Sequence, residues 1–597
     1  MAKSQITSSS TAEYFAKNLQ QVGFSSPTKA VLTTLKEAVD NSLDACEEED
    51  ILPMLDISIK RLGTGGSKNT DLIEIMVEDN GPGLEADMLP QVFGEYLASS
   101  KFGRGRCTRG QQGIGISAAT TWAQLTNASG VLVTSKTAKM KKAIRAQVDV
   151  DIKGNKGLMK NKETIDWNKP HGTKVVFRID GRIQLNGDGG LLTYLEGTTL
   201  VNPHLELKYK LLDSETVHIK RVSEQNPDIP TATLPHPHTM KLGEFITHAG
   251  IYGKITFGNF LKTAFSRVTD ATLKDFVTNK MPKSLLAKPL TQVKEADFKA
   301  AYQAIQSTEL PSPSTRSVLT VGEDSLSKSI MRLGDIDFFS VVARKPTICD
   351  FKPVAVEVAL ARFLGRGSED GQIQLLRFAN RVPLQFDKGA CAITKAIESV
   401  NWRAYGLQQS KNTLPQGPYV FAISLVSPFI KFKNASKETI DASDELVEEI
   451  RLAVMRAGQK LSRHINRENK AADLERKIQH IEQFGPILVE TLARLVKAPE
   501  ARKKRAREGL EKILGRDSKA AEKDLDVADT RLKELRAKMR ERGIVGEDFR
   551  SKDHTISEAY SEDRIVSDDD ANVDEVVVSK KQNKKKKRSG KEEVKNV

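Results

Sequence analysis

LKEAVDNSLDA, Leu35 to Ala45, decides the fold, because Glu37, Asn41 and Asp44 fall at i, i+4 and i+7 on one helical face. Leu35, Ala38, Val39, Leu43 and Ala45 make the remainder apolar enough to enter a core. The stretch therefore reads as a buried helix carrying a polar stripe of carboxylate, amide and carboxylate. Such a stripe is costly to bury without a task, and binding a metal and nucleotide is one that fits. A solvated helix face shows the same pattern, so the segments downstream decide between the two.

Those segments follow in order. A strand-like run, Leu72 to Val77, leads into EDNGPGL, where Asp79 ends the strand and Gly81 and Gly83 permit a tight turn. Then comes SSKFGRGRCTRGQQGIGISAA, Ser99 to Ala119, with glycines at 103, 105, 110, 113 and 115. Its successive N–H groups could wrap phosphate oxygens ahead of a helix starting near Ile116, although a glycine cluster can equally be a floppy loop. HGTKVVF, His171 to Phe177, begins a strand with the Thr173 hydroxyl at its edge. No G-x-x-x-x-G-K-[ST] occurs, and no strand directly precedes Gly113-Ile114-Gly115, so neither a P-loop nor a dinucleotide fingerprint fits.

The set E-x-x-x-N, D-x-G-x-G, G-x-x-G-x-G and G-T-K resembles the GHKL ATPases, the superfamily of gyrase B, MutL, the heat-shock chaperone of that class and histidine kinases. The resemblance implies ATP and Mg²⁺ as cofactors. It makes Glu37 the base that deprotonates the attacking water and Asn41 the Mg²⁺ ligand. Asp79 would accept the adenine amine, with Thr173 assisting through a shared water. Gly81, Gly83, Ser100, Lys101 and the run Gly110, Gln111, Gln112, Gly113, Ile114 and Gly115 complete the nucleotide contacts, the run closing over the phosphates as a lid. A lid of this kind acts by electrostatic stabilisation, the usual division of labour in phosphoryl transfer. Histidine kinases generally lack the water-activating glutamate, so Glu37 favours hydrolysis.

At 597 residues and 39% hydrophobic content the chain can form several cores. Cys46, Cys107, Cys349 and Cys391 lack C-x-x-C spacing, so neither a zinc site nor a disulfide framework is indicated, and a reducing compartment fits. No apolar run approaches membrane-spanning length and the N-terminus has no signal core, so no membrane association is expected. The formal charge of +14 points to an anionic partner. The last forty residues hold ten acidic and ten basic side chains, which places the whole excess in the body. Lys460 to Arg542, with 23 basic and 15 acidic residues, carries +8 of it.

Pro235 to Val277 reads as a small helical module with Lys254, Lys262, Arg267 and Lys274 on it. Its HP before a helix and F-L-x-x-x-F-S-R-V after the turn resemble the helix-two-turns-helix domain of the topoisomerase VI B subunits; a helical spacer with ordinary lysines is the alternative. From Ser317 to Gly458 the chain reads as mixed α/β, with strand-like FFSVVAR, IQLLRFANRVPLQF and YVFAISLV and a helix near Val354 to Arg362. RFANRVPLQF, Arg377 to Phe386, resembles the transducer domain of those same proteins. By the same resemblance Lys437 is the transducer lysine that reaches the ATP γ-phosphate, at a loop-to-helix junction. A helix opening at Glu438, with Leu446, Ile450, Val454 and Leu461 at helical spacing, would form a lever. Clustered charges beyond about Arg542 read as a disordered tail.

The expected fold is thus an α+β multidomain chain. It comprises an N-terminal arm and GHKL (Bergerat) α/β sandwich (1–229), a helix-two-turns-helix insert (230–310), an α/β transducer with a long helix (311–470), a helical extension (471–545) and a charged tail (546–597). The resemblance to the type IIB topoisomerase B subunits implies an ATP-driven clamp that self-dimerises through the ATPase domain, traps duplex DNA and works with a DNA-cleaving A-type subunit in an A2B2 heterotetramer. An ATP-gated clamp or scaffold in repair or chromatin, with no topoisomerase partner, is the alternative. A prokaryotic host would place it in the cytoplasm with the nucleoid, a eukaryotic one in the nucleus. Asp149 and Asp151 form a D-x-D, yet they sit in an alternating run that reads as a strand.

Overall fold

The computed structural model describes residues 9–99, 105–110, 112–230, 232–364, 371–513, 515 and 537. Ser100, Lys101, Gln111 and the tail 546–597 lie outside the described residues.

Helices α1 (Thr11–Lys17) and α2 (Pro27–Glu48) precede strands β1 (Met54–Thr64) and β2 (Asp71–Asp79). Helices α3 (Met88–Gly94) and α4 (Gly115–Asn127) lead to β3 (Val131–Lys136), β4 (Ala143–Asp151), β5 (Lys156–Ile165) and β6 (Gly172–Gly181), followed by α5 (Leu191–Val201), β7 (Glu206–Leu211) and β8 (Val217–Ile219). The eight strands form one sheet in the order β5-β4-β3-β6-β2-β1-β7-β8. Strand β2 alternates buried and half-buried positions, so one face enters the core. Leu35 and Val39 of α2 and Ala118 and Ala119 of α4 share that core with Ile75, Val77 and Phe177. Helix α2 starts where a helix should: the Ser26 hydroxyl accepts from the Lys29 N–H, and Pro27 occupies the first turn.

Four helices, α6 (Leu242–Gly250), α7 (Phe257–Ala264), α8 (Asp270–Thr278) and α9 (Glu295–Gln306), build the insert around its own core of Phe245, Phe257, Phe260, Phe265, Phe276 and Phe298. Next come α10 (Glu323–Met331), β9 (Ile336–Ala343), β10 (Thr347–Cys349), β11 (Lys352–Phe363), β12 (Gln374–Ala379), β13 (Val382–Leu384), α11 (Ala392–Glu398), β14 (Tyr419–Val426) and α12 (Asp444–Leu495). Strand β14 lies between β11 and β12 in a six-stranded second sheet.

Two expectations fail here. Val354 to Arg362 is not a helix but most of β11, hydrogen-bonded to β14 on one side and β9 on the other. Its run VAVEVALA is rich in β-branched residues and buried on both faces, which suits a central strand and hides the period-2 signal. Glu357, fully buried within it, accepts from the N–H groups of Val321 and Gly322. The long helix also opens later than Glu438: Ser443 caps it through the Leu446 N–H. Lys437, at φ 55°, and the bridge from Phe432 to Ile440 keep the intervening segment irregular.

Candidate nucleotide site

Helix α2, the end of β2, the start of β6, the N-terminus of α4 and the loop around Lys437 enclose a cavity of about 270 Å³. It is lined by Glu37, Asn41, Asp79, Gly83, Gly110, Gln112, Gly113, Ile114, Gly115, Thr173 and Lys437. These residues span 400 positions of sequence and are named by the sequence motifs; the lining also includes Ser42 and Glu48, which the motifs do not name. Gly81 stands beside the cavity, donating its N–H to Asp79 Oδ1 at 2.9 Å.

Asp79 is 5% exposed, and its carboxylate is held on three sides. Oδ1 accepts from the N–H groups of Gly81 and Thr173 (3.0 Å), and Oδ2 accepts from the Ser42 hydroxyl at 2.7 Å. Burial pushes its pKa up, and the three hydrogen bonds oppose that rise. An ionised carboxylate can accept about four hydrogen bonds, so one site remains for a donor in the cavity. Sequence reasoning misses Ser42, next to Asn41 on α2, because it lies off the i, i+4 stripe. Thr173 contacts Asp79 through its backbone, and it is among the residues lining the cavity.

The glycines are where backbone must come close. A Cβ at Gly83, which has φ 74°, would overlap the carbonyl oxygen of Lys136. A Cβ at Gly115 would overlap the Glu37 carboxylate, so that carboxylate lies directly against the first residue of α4. The first turn of α4, at Gly115 and Ile116, thereby lines the cavity beside Glu37, and a helix N-terminus suits anionic oxygens.

Asp44, the third member of the stripe, is not among the lining residues. Its Oδ1 accepts from Arg109 Nη1 at 2.8 Å and its Oδ2 from the Gly110 N–H at 3.2 Å, so it anchors the glycine loop rather than a ligand. The Arg109 guanidinium, fully buried, also meets Glu47 and the Asn202 side-chain oxygen. Lys437 Nζ donates to the Arg109 carbonyl at 2.9 Å. Asp40 is likewise absent from the lining; it accepts from the Tyr194 hydroxyl at 3.5 Å, and burial raises its pKa to about 7. Asp149, of the D-x-D, sits in β4 and accepts from the Gly130 N–H and Lys160.

Residues 28–182 match the family described as histidine kinase-, DNA gyrase B-, and HSP90-like ATPase, and residues 313–477 match the topoisomerase VI B subunit transducer. The type 2 DNA topoisomerase 6 B subunit of Archaeoglobus fulgidus is 36% identical over 461 residues, 77% of this chain and 75% of that one. The chain belongs to the family of type 2 DNA topoisomerase 6 B subunits. The relative from Methanococcoides burtonii is 34% identical, covering 77% of this chain and 72% of its own, and that from Pyrococcus furiosus 29%, covering 82% and 92%. In this chain, as the family implies, a GHKL ATPase domain precedes the transducer, and the cavity-lining residues named above lie in the ATPase match apart from Lys437, which lies in the transducer match. Among the described residues, no helix is long and apolar enough to cross a membrane.

Proposed function

We propose that this chain is the ATP-operated clamp of a type IIB topoisomerase, in which ATP closes two copies on one DNA duplex and hydrolysis reopens them. The observation that carries the reading is the convergence of Glu37, Asn41, Asp79, Thr173, the glycine loop and Lys437 on one cavity. In this reading Asp79 accepts the adenine amine at its remaining site. Glu37 takes a proton from the water that attacks the γ-phosphoryl group, and ADP leaves. Gly110 and Gly113 to Gly115 hold the phosphate oxygens, and Lys437 reads the γ-phosphate. Asn41 lines the same space, and its side-chain oxygen would hold Mg²⁺, a cation that takes most ligands from phosphate and water and needs few from protein. When bound it would neutralise negative charge on the phosphates.

Partner and DNA contacts belong to the same proposal. Phe484, Ile487, Leu488, Leu492 and Leu495 recur at helical spacing near the end of α12 and are all more than half exposed. Such a stripe supports docking of a DNA-cleaving A-type subunit there, since soluble helices seldom leave one uncovered. Lys254 and Lys274 are exposed on the insert, whereas Lys262 already pairs with Asp270 at 2.8 Å. Duplex DNA would contact this face through phosphates, with steep salt dependence and little sequence preference.

The test is reconstitution. The purified chain alone should hydrolyse ATP without relaxing supercoiled DNA, because strand cleavage needs a positioned tyrosine and a Mg²⁺-holding carboxylate cluster. Adding a protein that carries both should give ATP- and Mg²⁺-dependent relaxation. Relaxation by the chain alone would overturn the division of labour. ATP-gated DNA retention with no relaxation under either condition would favour the scaffold reading.

A further inference from the structure

Glu47 lies at the last turn of α2, behind the cavity and not in it. Its carboxylate is 3% exposed and accepts from three side chains of three segments. Arg109, immediately before the glycine loop's Gly110, donates Nη1 to Oε2 at 3.0 Å and Nη2 to Oε1 at 2.6 Å. Arg381, in the turn between β12 and β13 of the second sheet, donates Nη1 to Oε1 and Nη2 to Oε2, both at 2.8 Å. His204 Nε2 lies 2.8 Å from Oε1. Asn202 ties the same two arginines again: its Oδ1 accepts from Arg109 Nη2 at 2.5 Å, and its Nδ2 donates to the Arg381 carbonyl at 3.3 Å.

We propose that Glu47 and Arg381 are positioning residues for ATP hydrolysis, through which the seat of the transducer fixes Arg109 and, with it, the cavity-lining Gly110. The inference rests on the reading of the cavity as the ATP site. The Arg109 and Arg381 guanidiniums both face the Glu47 carboxylate, Arg109 also that of Asp44, and all four residues are buried, Asp44, Glu47 and Arg381 beside a cavity of only about 20 Å³. Withdrawing either arginine leaves buried charge without its partner, a strongly unfavourable state. Displacement of the Asn380-Arg381 turn therefore cannot occur without disturbing Arg109. Arg109 in turn holds the loop: its own N–H and that of Gly110 both point at Asp44. The turn itself is fixed in shape, with Asn380 at φ 48° and Arg381 at φ 64°, the pair of left-handed residues that a tight hairpin of this kind requires. The contact is distinct from that of Lys437, which touches the Arg109 carbonyl and lines the cavity itself. Opposite charges hold the Glu47 pKa well below its usual range despite burial, and burial lowers that of His204.

Arg381→Gln and Arg381→Lys in the full chain test this, the lysine retaining the charge but not the two-point grip. Three readouts separate coupling from general damage: hydrogen exchange at the Arg109 and Gly110 amides without nucleotide, ADP affinity, and kcat with KM for ATP. Arg381→Gln should raise exchange at both amides about tenfold and lower kcat about tenfold, with ADP affinity within about twofold and Arg381→Lys intermediate. Should the glutamine variant fail to fold, the lysine variant carries the comparison. Wild-type exchange and kcat in folded variants would overturn the proposal, as would a fall in ADP affinity matching that in kcat. If the wild-type chain neither binds nor hydrolyses ATP, the ATP reading fails, while the exchange comparison still reports whether Arg381 holds the loop.

Discussion

Lys437 and Arg109, 328 positions apart, are joined by a hydrogen bond of 2.9 Å from the lysine ammonium to the arginine's backbone carbonyl. The second sheet's domain thus touches the glycine loop one residue before Gly110. An ammonium has three donors, so this bond leaves two for a phosphate. Lys437→Ala should spare ADP binding while lowering the affinity for a non-hydrolysable ATP analogue and the hydrolysis rate. Calorimetry with both nucleotides checks this; equal losses for the two would remove the γ-phosphate role.

Glu37 is expected to be the base. Glu37→Ala should bind ATP and dimerise yet turn it over at least ~100-fold more slowly, the range for losing a general base. Near-normal turnover in a steady-state assay would dismiss the assignment. Gly115→Ala should behave similarly for a steric reason, since its Cβ needs the space the Glu37 carboxylate occupies.

Asp79→Asn should weaken nucleotide binding itself. With the amide oxygen kept on the Gly81 and Thr173 N–H groups, the NH₂ meets the Ser42 hydroxyl, which can rotate to accept from it, but also opposes the adenine amine; the flipped amide instead sets the NH₂ against the two backbone N–H groups. A loss of about 1–3 kcal/mol in ADP affinity follows from one unsatisfied buried pairing. Unchanged affinity, with an unchanged melting temperature, would take Asp79 out of the site.

The junction between the helical insert and the second sheet should be acid-sensitive. His236 is buried and stacks on Phe351, the ring centroids 5.0 Å apart. Burial and the nearby His238 lower its pKa to about 4. From about pH 6.5 down to that value the unfolded chain binds the proton and the folded one does not. Stability is therefore complete above about pH 6.5 and falls as pH drops through the window, by on the order of 3 kcal/mol at most. His236→Phe, which can stack without titrating, should flatten the change in melting temperature between pH 7 and pH 5; parallel slopes would place the sensitivity elsewhere.

The residues named from sequence that line the cavity are legible because their motifs are local: a helical stripe, a strand end with two glycines, and a glycine cluster each announce themselves within a short run of chain. What escapes depends on distant partners. Asp44 belongs to the stripe by periodicity, but only the arrival of Arg109 makes it an anchor for the loop. Arg381 sits inside a recognisable motif, yet its partner Glu47 is 334 residues away. Strand β11 passes for a helix in sequence because burial on both faces removes the alternation that distinguishes a strand.

Helix α12 has 52 residues. Its first part is fixed to the second sheet by Ile450, Val454 and Leu461 and, further along, by the Arg362–Glu468 pair. The 27 residues beyond Glu468 rise about 40 Å. A tilt of about 10° at the anchored end would sweep the far end through about 7 Å, larger than the one-turn rise of about 5.4 Å. Any repacking that tilts the anchored end would thus be enlarged, by the length of this helix alone, into a displacement of several ångströms at its far end.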